Sequence, residues 1–163
     1  HRRRGLLDGV VFSGGEPTLQ AALADALAAV RALGMQTALH TAGMYPQRLA
    51  ALLPQLDWVG LDIKAPAHRH DAITATPGSA GRPRQALRAL ADSGIDFECR
   101  TTWHPGLFSA SELLALADEL RASGVTCWAV QECRTPAAPA WTLTPEQIRQ
   151  LGAGFERFTL RRA

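Results

Sequence analysis

Short strand-like runs alternating with amphipathic stretches make this 163-residue chain an α/β protein built on a parallel sheet. Three observations carry that reading. Five β-branched or aromatic runs recur along the chain, each is followed by apolar residues at helical spacing, and every crossover is long enough to bring the chain back for parallel pairing. With 47% hydrophobic and 20% charged residues, the composition is that of one folded domain over residues 1–163, not of a disordered tail. Arg, Asp, Pro or Gly interrupts each apolar stretch before it reaches the length of a membrane span.

The elements follow in order. Residues 10–13 read as a strand that ends at Gly14-Gly15, after which Leu19, Leu23, Ala26, Leu27, Val30 and Leu33 recur at helical spacing until Gly34. Residues 36–41 form the second strand, and Pro46 suits the first turn of a helix carrying Leu49, Leu52 and Leu53. Residues 58–64 are the third. A loop rich in Pro, Gly, His and Thr covers 65–83, and a helix with Leu87 and Leu90 then runs to Gly94. Residues 97–103 make the fourth strand. Ser109 and Glu112 stand at capping-box spacing before a helix that ends at Gly124. Residues 127–132 make the fifth strand, and Thr144, Pro145 and Gln147 open a last helix with the stripe Ile148, Leu151, Phe155 and Phe158.

The strand faces narrow the architecture. Val59, Leu61 and Ile63 alternate with Trp58, Gly60, Asp62 and Lys64, while Phe97, Cys99, Thr101 and Trp103 alternate with Glu98, Arg100, Thr102 and His104. Polar residues gathered on one face near strand C-termini suit the mouth of a curled sheet, so a parallel-stranded partial (β/α) barrel of five units is expected.

Charge and cysteine usage exclude several classes. Lys+Arg 17 against Asp+Glu 15 gives a net charge of +2, the arginines are scattered apart from the run within residues 1–4, and neither a nucleic-acid footprint nor a membrane surface is expected. Cys99, Cys127 and Cys133 match no disulfide framework or zinc spacing, which fits a reducing cytoplasm. Lys64 is the one lysine of the chain.

Several positions are candidates for chemistry. In Ser13-Gly14-Gly15-Glu16-Pro17 two glycines allow a ligand close to the backbone and Pro17 fixes the exit; the bland alternative is a tight turn with a solvated Glu16. Asp62 and Lys64 share a strand face and would pair with each other, with Arg100 or with a ligand, or else face solvent. Arg100 is either a carboxylate clamp or a structural partner of Glu98 or Asp62. His40 precedes Thr41-Ala42-Gly43 at a strand end. His68 and His70 beside Asp71 read as a solvated pair in preference to metal ligands, and Cys127 and Cys133 as packing residues.

Residues 7–20 (Leu7-Asp8-Gly9-Val10-Val11-Phe12-Ser13-Gly14-Gly15-Glu16-Pro17-Thr18-Leu19-Gln20), then His40-Thr41-Ala42-Gly43, then 57–65 (Asp57-Trp58-Val59-Gly60-Leu61-Asp62-Ile63-Lys64-Ala65), resemble a radical S-adenosylmethionine (radical SAM) enzyme. The group most similar is the activating proteins of anaerobic ribonucleoside-triphosphate reductase, related to the pyruvate formate-lyase activating enzyme. Residues 97–105 and 130–134 follow the same group's order. The resemblance implies a cofactor-binding set of Gly14, Gly15, Glu16, Pro17, Thr41, Asp62, Lys64, Arg100 and Gln131. The glycine turn would meet the methionyl amino group, Lys64 and Arg100 the carboxylate, Thr41 and Asp62 the cofactor or a monovalent cation, and Gln131 the nucleoside part.

The resemblance also implies a [4Fe-4S] cluster on a C-x3-C-x2-C motif, reductive cleavage of S-adenosylmethionine, and abstraction of a hydrogen atom from a glycine of the partner reductase, with flavodoxin or ferredoxin as electron donor. That cysteine motif is absent from the sequence. The expected explanation is that the first strand-helix unit, about 30 residues, precedes residue 1, so that this stretch binds no cluster and is inactive alone. The resemblance leaves open another radical SAM activase such as the pyruvate formate-lyase activating enzyme, and the residues leave open a Schiff-base lyase using Lys64 and a noncatalytic half-barrel that binds a partner through the 65–83 loop.

Overall fold

A computed structural model describes residues 7–133 and 143–162. The run within residues 1–4, and Arg134 at the end of the 130–134 segment, lie outside the described residues. The strands are β1 (Gly9–Phe12), β2 (Gln36–Thr41), β3 (Trp58–Asp62), β4 (Asp96–Trp103), β5 (Cys127–Glu132) and β6 (Arg157–Arg161). The helices are α1 (Leu23–Ala32), α2 (Pro46–Leu52), α3 (Ala67–Thr74), α4 (Gly81–Ser93), α5 (Ala110–Ala122) and α6 (Pro145–Gly152), with 3-10 turns at Pro17–Leu19 and Leu53–Gln55. Sheet order follows chain order. None of the helices among the described residues is long and apolar enough to cross a membrane.

Two compact units emerge, 1–62 with 82–97 and 63–81 with 98–163. In the first, β2 pairs in parallel with β1 (Val11↔Ala38) and with β3 (Leu39↔Val59). One face of each strand is buried: Leu39, Val59 and Leu61 are fully enclosed, as are Leu27 of α1, Leu49 of α2 and Leu90 of α4. Half-buried Phe12 of β1, in register with Leu39, belongs to that same side. The opposite face carries half-buried Ala38, His40 and Trp58. There the ring of His40 meets Trp58 edge-on, 5.7 Å between centroids, and Gly60 leaves the gap in which they meet, since a Cβ on it would stand 2.8 Å from the His40 Cδ2.

The N-terminal end of β2 is fastened by Asp57. Its carboxylate accepts from the Thr37 N–H at 2.7 Å, and Nη1 of Arg31 donates to both carboxylate oxygens at 3.1 Å. The backbone hydrogen bond from Thr37 first, then the Arg31 guanidinium, holds the Asp57 carboxyl below its ordinary value. Gly43 combines crowding with a left-handed backbone, with φ +67° and an imagined Cβ 2.8 Å from Leu61 and 2.9 Å from Ala86.

In the second unit β5 pairs in parallel with β4 (Thr101↔Val130) and β6 (Trp128↔Phe158). Its buried face holds Cys99, Thr101, Trp103, Trp128 and Val130. The Trp128 indole N–H donates to the Thr101 hydroxyl at 3.1 Å, and its ring packs on Phe155 and Phe158. The capping box at α5 forms, with Ser109 and Glu112 each satisfying the other's backbone N–H, and Thr144 with Gln147 does the same for α6.

Three expectations need correction. A sixth strand is present: the last helix stops at Gly152, Gly154 takes φ +80°, and Phe158 lies in β6 instead of extending the helical stripe. The alternation of Arg157, Thr159 and Arg161 with Phe158 and Leu160 is a strand period, and two nearby glycines separate it from the helix. The 65–83 loop contains α3, and α1 begins at Leu23 because the Glu16 side chain caps a separate 3-10 turn first. The His pair is not solvated as a pair. His68 reaches Glu112 at 3.3 Å, whereas His70 is 1% exposed with Nδ1 3.0 Å from the Ser79 hydroxyl.

Two outcomes follow for stability. Gly43→Ala is expected to cost about 2–4 kcal/mol, combining left-handed strain with overpacking, against about 1 kcal/mol for Gly34→Ala, where φ is +74° but no atom lies within 4 Å; urea midpoints measure both. A lowered carboxyl contributes stability above its ordinary pKa that is lost as pH falls through the folded value. The gap between wild type and Asp57→Asn should therefore be complete at neutral pH and narrow as the pH falls below the ordinary aspartate value of 3.8, as read from urea titrations on either side of it.

Candidate cofactor-binding site

The turn after β1 carries the site in the first unit. Gly14 and Gly15 take φ +98° and +56° in succession, conformations that side chains with a Cβ rarely adopt. Nothing lies within 4 Å of an imagined Cβ on either, so backbone conformation and not crowding demands the glycines, and the space around them is open. A parallel strand that ends in an exposed, glycine-opened turn offers backbone groups to a ligand.

Glu16 holds that turn in place. Oε1 accepts from the Thr18 N–H at 3.2 Å, the Thr18 hydroxyl at 2.6 Å and the Thr41 hydroxyl at 2.7 Å, while Oε2 accepts from the Ala42 N–H at 2.9 Å. Thr41, itself 2% exposed, also accepts from the Gly43 N–H at 3.0 Å, so a line of hydrogen bonds runs from Gly43 through Thr41 to Glu16. From α2, Arg48 donates to the Thr18 carbonyl at 3.2 Å and pins the 3-10 turn from the far side. Pro17 is buried at the start of that turn. The carboxylate of Glu16 is thereby engaged inside the protein, and recognition of an amino group at this turn falls to backbone carbonyls. Thr41 pairs in register with Leu61, which places Asp62, half-buried, at the same end of β3.

In the second unit the site residues lie along one sheet face. The Ile63 N–H donates to the Arg100 carbonyl at 2.9 Å and the Thr101 hydroxyl donates to the Ile63 carbonyl at 2.9 Å, which sets Lys64 beside the C-terminal half of β4. Lys64 is exposed, Arg100 half-buried. Thr102 pairs with Gln131, which is exposed two residues beyond Ala129, the register partner of Arg100. Glu98 is 7% exposed, and Arg161 of β6 donates to its carboxylate at 2.9 Å.

Sequence reasoning missed Arg161 because the segment was assigned to a helix; its period-two spacing from Arg157 was the available signal. It also missed Thr18 and the Ala42 amide, for which a Glu directly after two glycines gives no address. The 65–83 segment is ordered by Asp71, whose carboxylate accepts from the Gly78 N–H at 2.6 Å, the Ala80 N–H at 3.0 Å and the Ser79 hydroxyl at 3.1 Å. These bonds, that of Gly78 first, hold the Asp71 carboxyl below its ordinary value.

The fit to two cofactor groups differs. In the first unit an open turn offers backbone acceptors; in the second, taken by itself, Lys64 is exposed and Arg100 half-buried. A metal cluster does not find its ligands: Cys99 is enclosed on the face of Trp128, Cys127 lies on the opposite face, and among the described residues no group of three His, Cys, Asp or Glu side chains is placed to hold a metal.

The family model of the radical SAM superfamily matches residues 1–120, and the chain belongs to that superfamily. Its fold is similar to a domain of pyruvate-formate lyase-activating enzyme from Bacteroides vulgatus ATCC 8482, with a TM-score of 0.72 and 17% identity over 93% of this chain and 98% of that one. Streptococcus suis SuiB bound to S-adenosylmethionine is similar at a TM-score of 0.68 and 14% identity over 94% of this chain and 38% of that one. anSMEcpe with bound AdoMet gives 0.63 and 15% over 86% and 43% respectively. The chain thus spans nearly all of the first and less than half of the other two. Among curated proteins no match was found. The likeness establishes the expected fold, a parallel-stranded partial (β/α) barrel of the radical SAM type, and the family's cofactors are S-adenosylmethionine and an iron-sulfur cluster.

Glu16→Gln replaces one of two acceptor oxygens by a donor that faces N–H or O–H groups. The loss is expected at about 1–3 kcal/mol, read as a lowered urea midpoint.

Proposed function

We propose that this chain is the S-adenosylmethionine-holding part of an activating enzyme that installs a glycyl radical on an anaerobic ribonucleoside-triphosphate reductase. The observation that carries the reading is the Gly14-Gly15 turn braced by Glu16 onto Thr41 and Ala42 at the ends of parallel strands. The fold shared with an activating-enzyme domain supports the activase class, and the choice of reductase rests on the sequence resemblance at 7–20, 40–43 and 57–65.

In this reading the backbone of the turn holds the amino group, Lys64 and Arg100 hold the carboxylate as charge-assisted donors, and Gln131 meets the nucleoside part. Pro17 fixes the turn's exit. Thr41 acts through Glu16, and Asp62 faces the cofactor or a monovalent cation. When bound beside a reduced cluster, S-adenosylmethionine supplies the radical chemistry. A flavodoxin or ferredoxin would serve as electron donor, in a reducing cytoplasm.

The test pairs the whole protein that contains this chain with the anaerobic reductase after cluster reconstitution. A glycyl-radical resonance on the reductase and methionine release are expected, both lost on Gly15→Val with the cluster's absorption retained. Methionine release without any reductase radical would overturn the choice of target. Capture of a carbonyl compound on Lys64 by borohydride, without methionine release, would overturn the activase reading in favour of a lyase.

A further inference from the structure

Two cations serve one carboxylate only if their roots keep a fixed separation, because lysine is a flexible chain that ends in a point charge and arginine a planar fork. In the second unit that separation is set by the peptide groups around Ile63. The Ile63 N–H donates to the Arg100 carbonyl at 2.9 Å, so the backbone at the foot of Arg100 holds one side of Ile63. Its own carbonyl is held by a side chain, the Thr101 hydroxyl, which donates to it at 2.9 Å. That carbonyl and the Lys64 N–H belong to one planar peptide unit. The hydroxyl bond therefore orients the plane from which the Lys64 side chain departs.

The direction of the hydroxyl proton is fixed by its neighbour. The Trp128 indole N–H, which can only donate, points at the Thr101 hydroxyl oxygen at 3.1 Å. The oxygen accepts there, and its single proton is left for the Ile63 carbonyl. Thr101 and Trp128 are each 1% exposed, so water does not compete for either bond. The flanks of Lys64 are held as firmly. Ile63 and Ala65 are enclosed, and the Ala67 N–H that opens α3 donates to the Glu119 carboxylate of α5 at 3.3 Å. Lys64 is thus an exposed side chain rich in rotamers on a fixed root. A valine at position 101 would fill nearly the same shape, and a hydroxyl is costly to enclose unless it is bonded, so the bonds account for the threonine and packing does not.

We infer that Thr101, backed by Trp128, is a positioning residue for S-adenosylmethionine: through the Ile63 carbonyl it fixes the root of Lys64 relative to that of Arg100, so that both cations meet the methionyl carboxylate. The inference rests on the reading that Lys64 and Arg100 hold that carboxylate. Thr101 is enclosed on the face of β4 opposite Arg100, and it acts through Lys64 and not by touching the cofactor.

Calorimetry on the cluster-reconstituted whole protein that contains this chain compares S-adenosylmethionine with decarboxylated S-adenosylmethionine, which has no carboxylate. Thr101→Val is expected to weaken the first about fivefold and to leave the second unchanged. Lys64→Met is expected to lower the same affinity ratio about tenfold, and Thr101→Val added to it to lower the ratio no further. Thr101→Ser keeps the hydroxyl and gives up a buried methyl. It is expected to reduce the urea midpoint with the ratio at its wild-type value, and it covers the case in which Thr101→Val does not fold. The peptide itself is read on this chain grown with isotope-labelled lysine, where Lys64, the one lysine, gives a single amide cross-peak. Thr101→Val is expected to displace that cross-peak and Thr101→Ser to leave it nearly in place. An undisplaced cross-peak in Thr101→Val, equal loss of both ligands in that variant, a changed ratio in Thr101→Ser, or additive losses in the double variant would overturn the inference. A ratio untouched by Lys64→Met would overturn the carboxylate reading itself, and with it the inference, even where the cross-peak shows that the hydroxyl sets the Lys64 peptide.

Discussion

The carboxylate of Glu16 is the constraint from which the site in the first unit follows. A glycine turn with two successive left-handed residues has little intrinsic preference for one shape, because glycine loses more conformational freedom on ordering than any other residue. Four hydrogen bonds to one side chain remove that freedom. They join the end of β1 to the end of β2 and, through Thr41, to the Gly43 N–H, where a side chain would collide with Leu61 and Ala86. The turn is thus ordered by a group that it does not itself present to a ligand, and its backbone stays available.

A parallel sheet sets where such a brace can work. All strand C-termini of a parallel pair point the same way, so a turn after one strand and the residues closing the next are neighbours without any long detour. Asp57 performs the matching task at the opposite end of β2, where it joins the Thr37 N–H to Arg31. Both carboxylates act on backbone N–H groups at strand ends, where ladder hydrogen bonding runs out and buried donors need acceptors. In the second unit the polar face is organised differently, by a pairing of Glu98 with Arg161 across the sheet and by the register that lines up Arg100 with Thr159 through Ala129.

Much of this was legible in the residues. The alternation of Val59, Leu61 and Ile63 with Trp58, Asp62 and Lys64 is realised as enclosed against half-buried or exposed positions, because a strand turns successive side chains to opposite faces. Gly14-Gly15 marked a turn, and both adopt positive φ. What escaped depends on contacts distant in sequence. The role of Glu16 is fixed by Thr41 and Ala42, 25 and 26 residues away, and nothing local in Glu16 announces it. Phe155 and Phe158 kept a helical interval from Leu151 while belonging to a turn and a strand, since spacing of three or four residues is also met by chance across a Gly-Ala-Gly break. His70 read as a solvated loop residue because its burial against Ser79 comes from α3, which the loop's Pro, Gly and Thr content concealed.

The chain belongs to the radical SAM superfamily. In the proposed reading the open, braced turn of the first unit offers backbone acceptors to the amino group of S-adenosylmethionine, and Lys64 and Arg100 offer donors to its carboxylate. The most direct measurement is the set of backbone amide resonances of the chain during titration with S-adenosylmethionine. The account predicts that the largest shifts fall on Ser13, Gly14 and Gly15, with further shifts around Lys64 and Arg100, and that S-adenosylhomocysteine perturbs the same amides. Saturable binding that leaves the three turn amides unmoved would contradict it.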